Sequence, residues 1–144
     1  MSRAINDTQK KAIFSNLPSS VTIGSTNINA SKIWANQAIT SYPTISLNVS
    51  TDGIPAVRDV SDGVLYYKTV LTIHILTKNQ SSLNGDRIAD AFAGSICTEL
   101  ESWVTPLTGD VRLFDVDTDI ESIGNLGYDL EVYDYVISVS LYHS

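Results

Sequence analysis

The sequence predicts an α+β fold, with an antiparallel sheet of about four to five strands, one main amphipathic helix packed across it and a shorter N-terminal helix. Two adjoining patterns carry this prediction. Residues 64–76 alternate apolar and polar side chains, which is the period of a strand with one solvated face. After a short polar run, residues 83–103 repeat apolar side chains every three or four positions, as an amphipathic helix does. Such a helix buries its apolar stripe against a sheet, so both elements belong to one layered fold.

The N-terminal third of the chain predicts a helix, a long polar segment and a strand. Residues 3–17 form the shorter helix, because they present one apolar edge and Pro18 ends it. Residues 18–42 are polar and are interpreted as a long excursion with one short strand. A loop of that length in a compact domain is usually functional or ordered by a partner. Residues 44–50 alternate cleanly and predict a strand that begins after Pro43.

The C-terminal part predicts two further strands. Residues 111–120 form the first, residues 124–127 turn the chain back, and residues 128–142 form the last. We find no internal repeat and no linker between two compositions, so the prediction is a single α+β domain over residues 1–144. A chain of this size buries about two thirds of the surface that it exposes when unfolded.

The net charge of −7 is divided unevenly along the chain. Up to residue 79, seven basic residues outnumber four acidic ones, a net charge of +3. From residue 80 onward two basic residues oppose twelve acidic ones, a net charge of −10. A surface that is basic at one end and acidic at the other suits head-to-tail self-assembly. It also suits a stack of different proteins that all point the same way. Neither half carries a dense basic stripe, which argues against nucleic-acid binding by charge.

The composition predicts a soluble protein made in a cytoplasm. No run approaches the roughly 18 apolar residues of a membrane span, and the first residues have no apolar signal core. The single cysteine, Cys97, has no partner for an internal disulfide and lies within the predicted helix beside Ile96. We therefore interpret it as a small buried hydrophobe.

The sharpest local pattern is a row of alternating carboxylates in the predicted strand near the C-terminus. Its members are Asp115, Asp117, Asp119 and Glu121. Alternate residues of a strand share one face, so these charges repel one another unless a cation or a basic partner screens them. The row resembles half a calcium loop but lacks the glycine and the final glutamate that an EF-hand requires. We interpret it as a solvated ladder that faces a channel or a partner, with adventitious divalent-cation binding as the alternative.

No catalytic, cofactor-binding or metal site is predicted. The only histidines, His74 and His143, lie on different predicted strands, and each is explained as a polar-face or terminal residue. The sequence has no Gly-x-Ser-x-Gly elbow and no phosphate-binding glycine loop, so we expect no enzyme activity. The tyrosines of the last strand are interleaved with acids and are interpreted as core and subunit-interface residues. The candidate interface residues are Tyr133, Tyr135 and Tyr142.

The order of elements resembles the tail terminator and tail-completion (head-tail joining) proteins of long-tailed phages and related tailed viruses. The resemblance covers most of the chain from residue 42 onward. It depends on the opening helix, the Tyr42-Pro43 strand entry, the long strand of residues 64–77 and the final strand of residues 128–142. Its most specific part is the run Leu83-Asn-Gly-Asp-Arg-Ile-Ala-Asp-Ala-Phe-Ala, which is similar to the helix that follows a short polar turn in that family. The long segment of residues 18–42 departs from the pattern.

The resemblance implies a structural virion protein located in the tail or neck and made in the host cytoplasm. Members of the family typically form a hexameric ring that caps the tail tube and joins it to the neck. The implied partners are the chain itself, a tail-tube protein and a neck or connector protein. Genomic DNA passes through such a ring without specific binding, and an acidic lumen would repel its phosphates.

Three alternatives stay open from the sequence. A neck or head-closure protein and a tail-tube protein of the same kind of virion share this composition. From another class, a small ligand-binding α+β domain or an enzyme would need a convergent polar pocket, which the residue pattern does not locate. Native mass separates these classes, since ring proteins assemble whereas a ligand-binding domain is usually a monomer or dimer.

Overall fold

The computed structural model describes residues 7–51, 57–58, 65–80, 83–103, 113–125 and 132–143, and for residues 57–58, 65 and 113–125 the description is of the backbone. Two helices and eight strands lie within these ranges. In chain order they are α1 (Asp7–Asn16), β1 (Ser20–Ile23), β2 (Thr26–Asn29), β3 (Ser31–Trp34), β4 (Thr44–Thr51), β5 (Val57–Arg58), β6 (Leu65–Lys78), α2 (Gly85–Glu101), β7 (Leu113–Asn125) and β8 (Val132–His143).

Six strands form one sheet in which β6 and β8 are central. The order is β3-β4-β6-β8-β7, and the short β5 pairs with the start of β6. The β4–β6, β5–β6, β6–β8 and β7–β8 pairs are antiparallel, whereas β3 runs parallel to β4. Among the described elements, β3 and β7 therefore lie at the two opposite edges of the sheet.

One face of this sheet, here called the helix face, holds the apolar core. Its fully buried members on β6 and β8 are Leu71, Ile73, Ile75, Ile137, Val139 and Leu141. The intervening residues of β6, such as Thr72 and His74, lie on the opposite face, here called the polar face, and are half-buried. This alternation is the reason that the sequence signal for β6 was strong.

Helix α2 covers the helix face with one apolar stripe. Its fully buried side chains recur every four residues, at Ile88, Phe92, Ile96 and Leu100. The helix begins after Asn84, and the Gly85 N–H donates to Asn79 Oδ1 at 2.8 Å. That bond satisfies one of the donors that every helix leaves unpaired at its N-terminus. Asp86 lies in the first turn, at the positive end of the helix dipole, as expected from the sequence.

The segment of residues 18–42 is more regular than the sequence predicted. It contains the antiparallel β1–β2 hairpin, which turns at Gly24 with φ of 62°, and the edge strand β3. Only Ile28 is buried within the hairpin, and β1 contacts α2. The prediction of an irregular excursion with one strand was therefore wrong, because short and mostly polar strands carry little periodic signal.

The coarse prediction of an α+β fold with a main and a shorter helix is confirmed. The strands predicted at residues 44–50 and 64–76 and the helix at 83–103 match β4, β6 and α2 within about two residues. Three details were wrong. The main sheet has six strands and not four to five, because the short strands β3 and β5 carry little periodic signal. The sheet is not wholly antiparallel, since β3 is parallel to β4, and β7 runs to Asn125 instead of turning at residue 124.

Candidate functional site

An open cleft of about 520 Å³ lies at the β3–β4 edge of the sheet, beneath the first turn of α1. This cleft is called the edge cleft. It is lined by Asp7, Lys10, Trp34, Ala35, Asn36, Gln37, Leu47, Asn48 and Val49. Its volume lies within the range of roughly 300–1,000 Å³ that is usual for ligand sites. No sequence pattern indicates this cleft, since its residues come from three separate segments.

The side wall of the edge cleft is an aromatic stack. Trp34 of β3 stacks on Phe14 of α1, with ring centroids 4.6 Å apart and an interplanar angle of 21°. Lys32, two residues earlier on β3, reaches the end of α1 and donates to the carbonyls of Phe14 at 2.8 Å and Leu17 at 3.0 Å. A cation at this position neutralises the carbonyl end of the helix dipole. β3 and α1 are thus held together beside the cleft.

Lys32 makes these bonds from a partly buried position. Burial lowers the pKa of its ammonium below the ordinary value, because the charged form loses hydration. The side chain also lies 5.2 Å from the centroid of the Phe14 ring. Its role in the described structure is to cap α1.

The backbone of β4 is open at the floor of the cleft. The Ala35 N–H donates to the Leu47 carbonyl at 3.0 Å, so the backbone groups of Leu47 point toward β3. Alternate residues of a strand point to the same edge, so the N–H and C=O of Val49 point that way as well. β3 ends opposite Leu47, and no described residue pairs with Val49 on this side.

The outer edge of β3, which faces away from β4, is blocked at Trp34. The Trp34 N–H donates to Gln37 Oε1 at 2.8 Å, and the Gln37 N–H donates to the Trp34 carbonyl at 2.9 Å. Gln37 therefore occupies the backbone groups that another strand would use at Trp34. The free edge in this part of the sheet is β4 from Asn48 onward.

The charged residues that line the edge cleft are Asp7 and Lys10, one acid and one base. Asp7 pairs with Lys11 at 3.0 Å across one helical turn, and both side chains are exposed. Lys10 forms no ion pair with a described residue. The remaining polar groups of the rim are the amides of Asn36, Gln37 and Asn48. An acidic or neutral polar occupant suits this rim better than a basic one.

His74 and Asp134 are hydrogen-bonded to each other on the polar face. His74 Nδ1 lies 3.0 and 3.1 Å from the two carboxylate oxygens, and the Asp134 side chain is 6 % exposed against 37 % for His74. The two residues are 60 positions apart, so no local sequence pattern indicates the pair. A carboxylate that orients an imidazole is part of a catalytic triad, but no described hydroxyl or thiol hydrogen-bonds to His74. The described pair therefore lacks a nucleophile.

His143 lies in the core and not at a solvated terminus. It is 2 % exposed, and its Nε2 lies 2.6 Å from Thr69 Oγ1, which is itself 2.7 Å from Thr51 Oγ1. The expectation of a terminal, polar residue was wrong for this histidine. Its hydrogen bond to Thr69 offsets the cost of burying the ring.

The acidic ladder lies on the edge strand β7, whose side chains fall outside the description. Its backbone register is described: Asp115, Asp117, Asp119 and Glu121 pair with Tyr142, Ser140, Ser138 and Val136 of β8. These β8 residues belong to the polar face and are half-buried. Directly paired residues share a face, so the four acidic positions belong to the polar face too. Their exposure to a channel or a partner stays a prediction.

The three candidate interface tyrosines occupy different environments. Tyr135 is 7 % exposed on the helix face and donates a short hydrogen bond to the carboxylate of Asp86 in α2, so it is a core residue. Tyr133 is half-buried beside Gly85, and Tyr142 is half-buried on the polar face. Tyr133 and Tyr142 stay candidates for a subunit interface.

Cys97 is half-buried and packs against the core. Burial first, and the nearby Glu101 carboxylate second, raise the pKa of its thiol above the ordinary value. The thiolate is the nucleophilic form, so this environment keeps the sulfur unreactive near neutral pH.

Comparison with known protein families finds no family model that matches this chain, and comparison with curated proteins finds no matching relative. Neither described helix has the length and apolar character needed to cross a membrane. Among the residues covered by the description, no group of three or more His, Cys, Asp or Glu is placed to hold a metal ion.

Proposed function

We propose that this protein is a structural virion component, a tail terminator whose ring caps the tail tube and joins it to the neck. The alternative within the same kind of virion is a neck, head-closure or tail-tube protein. The proposal originates in the order of elements in the sequence. Its support from the described residues is architectural and does not come from a matched relative.

One observation carries the proposal: among the described strands, the sheet ends at β3 and at β7 without a further strand beside either. Helix α2, helix α1 and the β1–β2 hairpin contribute apolar side chains to the core on the helix face. β7 is a 13-residue edge strand that pairs only with β8 among the described strands. Long unpaired edges are rare in monomers, because they template association with another chain. Assembly is the simplest reason to keep such an edge.

The charge distribution is consistent with a ring through which DNA passes. The acidic positions of β7 belong to the polar face, opposite the face on which α1 and α2 contribute to the core. If that face lines the lumen, its carboxylates repel the phosphates of the duplex and keep the channel from retaining DNA.

The edge cleft favours a second candidate function, a small ligand-binding domain. Its apolar wall at Trp34 and its amide rim at Asn36 and Gln37 are typical of pockets that take a small amphipathic molecule. This function predicts a monomer or dimer, whereas the terminator function predicts a larger closed assembly. Oligomeric state therefore separates the two.

The test is native mass spectrometry and negative-stain imaging of the full chain at high micromolar concentration. The terminator proposal expects a sixfold multiple of the 15.7 kDa chain and particles with a central hole. A matched pair of variants adds a control: Tyr142→Asp places a charge on the polar face, whereas Thr98→Asp places one on the exposed surface of α2. Only Tyr142→Asp should reduce assembly if Tyr142 lies in a subunit interface. A chain that stays monomeric, alone and with isolated tail tubes, would refute the proposal.

A further inference from the structure

The edge cleft has the properties of a site for an added β-strand. The backbone groups of Val49 point into it, and an extended peptide can pair with them in the position that β3 vacates after Trp34. In recognition of this kind, main-chain hydrogen bonds supply affinity and the flanking side chains supply specificity.

The side chains around this open edge define what an added strand must carry. Trp34 and Val49 belong to the helix face and are apolar, whereas Asn48 and Ser50 belong to the polar face and are exposed. A strand that continues the sheet must therefore place apolar residues on one side and polar residues on the other. Lys10 at the rim is available to pair with an acidic strand, since Asp7 pairs with Lys11.

This chain contains a strand with that pattern at its other sheet edge. Residues 115–121 read Asp-Val-Asp-Thr-Asp-Ile-Glu, with acids at every second position and Val116 and Ile120 between them. Val116 and Ile120 pair with Leu141 and Ile137, so these positions belong to the helix face. The acids belong to the polar face. If β7 of one copy lies beside β4 of another so that the two sheets become continuous, Val116 and Ile120 belong to the same face as Trp34 and Val49. The acidic positions then belong to the same face as Asn48 and Ser50.

The same segment is the regular part of β7. The β7–β8 register shifts between Leu113 and Asp115 and again between Ser122 and Gly124. Bulges of this kind bend an edge and discourage pairing. Residues 115–122 lie between the two shifts and keep a continuous register that another strand can join.

We propose that the edge cleft binds residues 115–121 of a second copy of this chain, which add as a strand beside β4. The inference rests on the proposed self-assembly and names the two surfaces that meet. It is a heterologous contact, because β4 lies near one edge of the sheet and β7 at the other. Repetition of a heterologous contact gives a closed ring or an open filament, and not an isolated two-fold dimer.

The direct test is binding of a labelled synthetic peptide, residues 114–122, to the full chain by fluorescence anisotropy. We expect saturable binding, and no binding of a peptide with the same composition in an order that breaks the alternation. Failure of the native peptide to bind, or equal binding of both peptides, would overturn the proposal.

Methylation of peptide nitrogens tests whether the main chain pairs. One peptide carries N-methyl groups at residues 115, 117, 119 and 121, and the other carries them at residues 116, 118 and 120. Alternate N–H groups of a strand point to opposite edges, so one of the two peptides should lose binding and the other should keep it. Loss in both, or in neither, would show that the backbone does not form an added strand.

Substitutions of an exposed residue locate the site. Asn48→Asp should weaken binding of the acidic peptide, and Asn48→Lys should strengthen it, each by about 1.5- to fivefold, as for a cross-strand charge pair. Asn27 is exposed on β2 and does not line the cleft, so Asn27→Asp and Asn27→Lys are matched controls. Equal effects at both positions would indicate general electrostatic attraction and would overturn the assignment to the edge cleft.

The outcomes separate this inference from the proposed function. Peptide binding by a chain that never forms a ring would support the strand contact and refute the terminator. A ring that forms without peptide binding, and that is insensitive to charge at Asn48, would support the terminator and refute this contact.

Discussion

Gly85 is the point at which helix α2 comes closest to the end of β6. A Cβ atom added there would lie 2.7 Å from Tyr133 Cδ2 and 2.8 Å from the Lys78 carbonyl carbon. Both distances are shorter than a Cβ contact allows, and one neighbour is backbone. A side chain larger than glycine would therefore clash at position 85. The close contact fixes the distance between the start of α2 and the end of β6.

We predict that Gly85→Ala lowers the free energy of unfolding by about 1–3 kcal/mol, as overpacking does. Gly94 is the control, because it lies within α2 and an added Cβ meets nothing within 4 Å. Gly94→Ala should raise stability by roughly 0.5–1 kcal/mol through helix propensity. Urea unfolding of the two variants measures this difference, and equal effects would contradict the packing argument.

Lys32 is a second single residue that affects stability, through its charge and its hydrogen bonds. We predict that Lys32→Met, which keeps the apolar stem, costs about 1–2 kcal/mol by leaving the α1 carbonyls without their donor. Lys11→Met removes a lysine whose side chain is 71 % exposed and should change stability by less than about 0.5 kcal/mol. Chemical denaturation of both variants near neutral pH tests this.

The lowered pKa of Lys32 gives this prediction a pH dependence. Between its folded and unfolded pKa values the unfolded chain binds more protons, so the contribution of Lys32 to stability rises with pH through that window. The stability difference between wild type and Lys32→Met should therefore be larger near pH 10 than near pH 7. A difference that shrinks as pH rises would show that the ammonium is not penalised by burial.

At the scale of elements, the long periodic segments were predictable and the edge was not. β6 and α2 follow from the sequence because burial on one face requires a regular repeat of apolar residues. β3 has four residues, and its parallel pairing with β4 is set by tertiary contacts that leave no local pattern. The edge cleft has the same origin, since Lys10, Trp34 and Val49 meet only after folding. His74 and Asp134 meet for that reason too.

The strand β7 carries the acidic ladder, so substitutions in it test what these charges do. We predict that Asp117→Asn with Asp119→Asn leaves the melting temperature nearly unchanged, because solvated like charges contribute little or unfavourably to stability. The double variant should bind duplex DNA more tightly at low salt, or attach to its protein partner more weakly. Ser138→Ala with Ser140→Ala changes the paired positions of β8 without a change of charge and is the control. A large loss of stability that calcium reverses only in wild type would show a structural metal site instead.

At the scale of the whole molecule, the two sheet edges and the two charge regions coincide. The β4 edge belongs to the part of the chain with a net charge of +3, and β7 belongs to the part with −10. β7 carries four acidic residues and no basic one, whereas β4 carries no charged residue. A contact between the two unlike edges therefore avoids the repulsion that a contact between two β7 edges would create. Salt should weaken the attraction between the acidic strand and Lys10 at the rim of the cleft, because charges at a surface are screened within about 8–10 Å.

This polarity can be tested by a charge swap between copies. Variant A carries Asn48→Asp and Ser50→Asp, so its β4 edge repels an acidic strand. Variant B carries Asp115→Asn, Asp117→Lys, Asp119→Lys and Glu121→Gln, so its β7 segment is basic and is repelled by Lys10 at the rim of the cleft. We predict that each variant alone assembles less than wild type, and that an equal mixture regains the wild-type mass as a strictly alternating, even-numbered ring. In such a ring the acidic β4 edge of variant A pairs with the basic β7 of variant B. The unchanged β4 edge of variant B pairs with the acidic β7 of variant A. Native mass spectrometry resolves the stoichiometry, and recovery by one variant alone, or a mixture without equal incorporation, would show that the two edges do not meet.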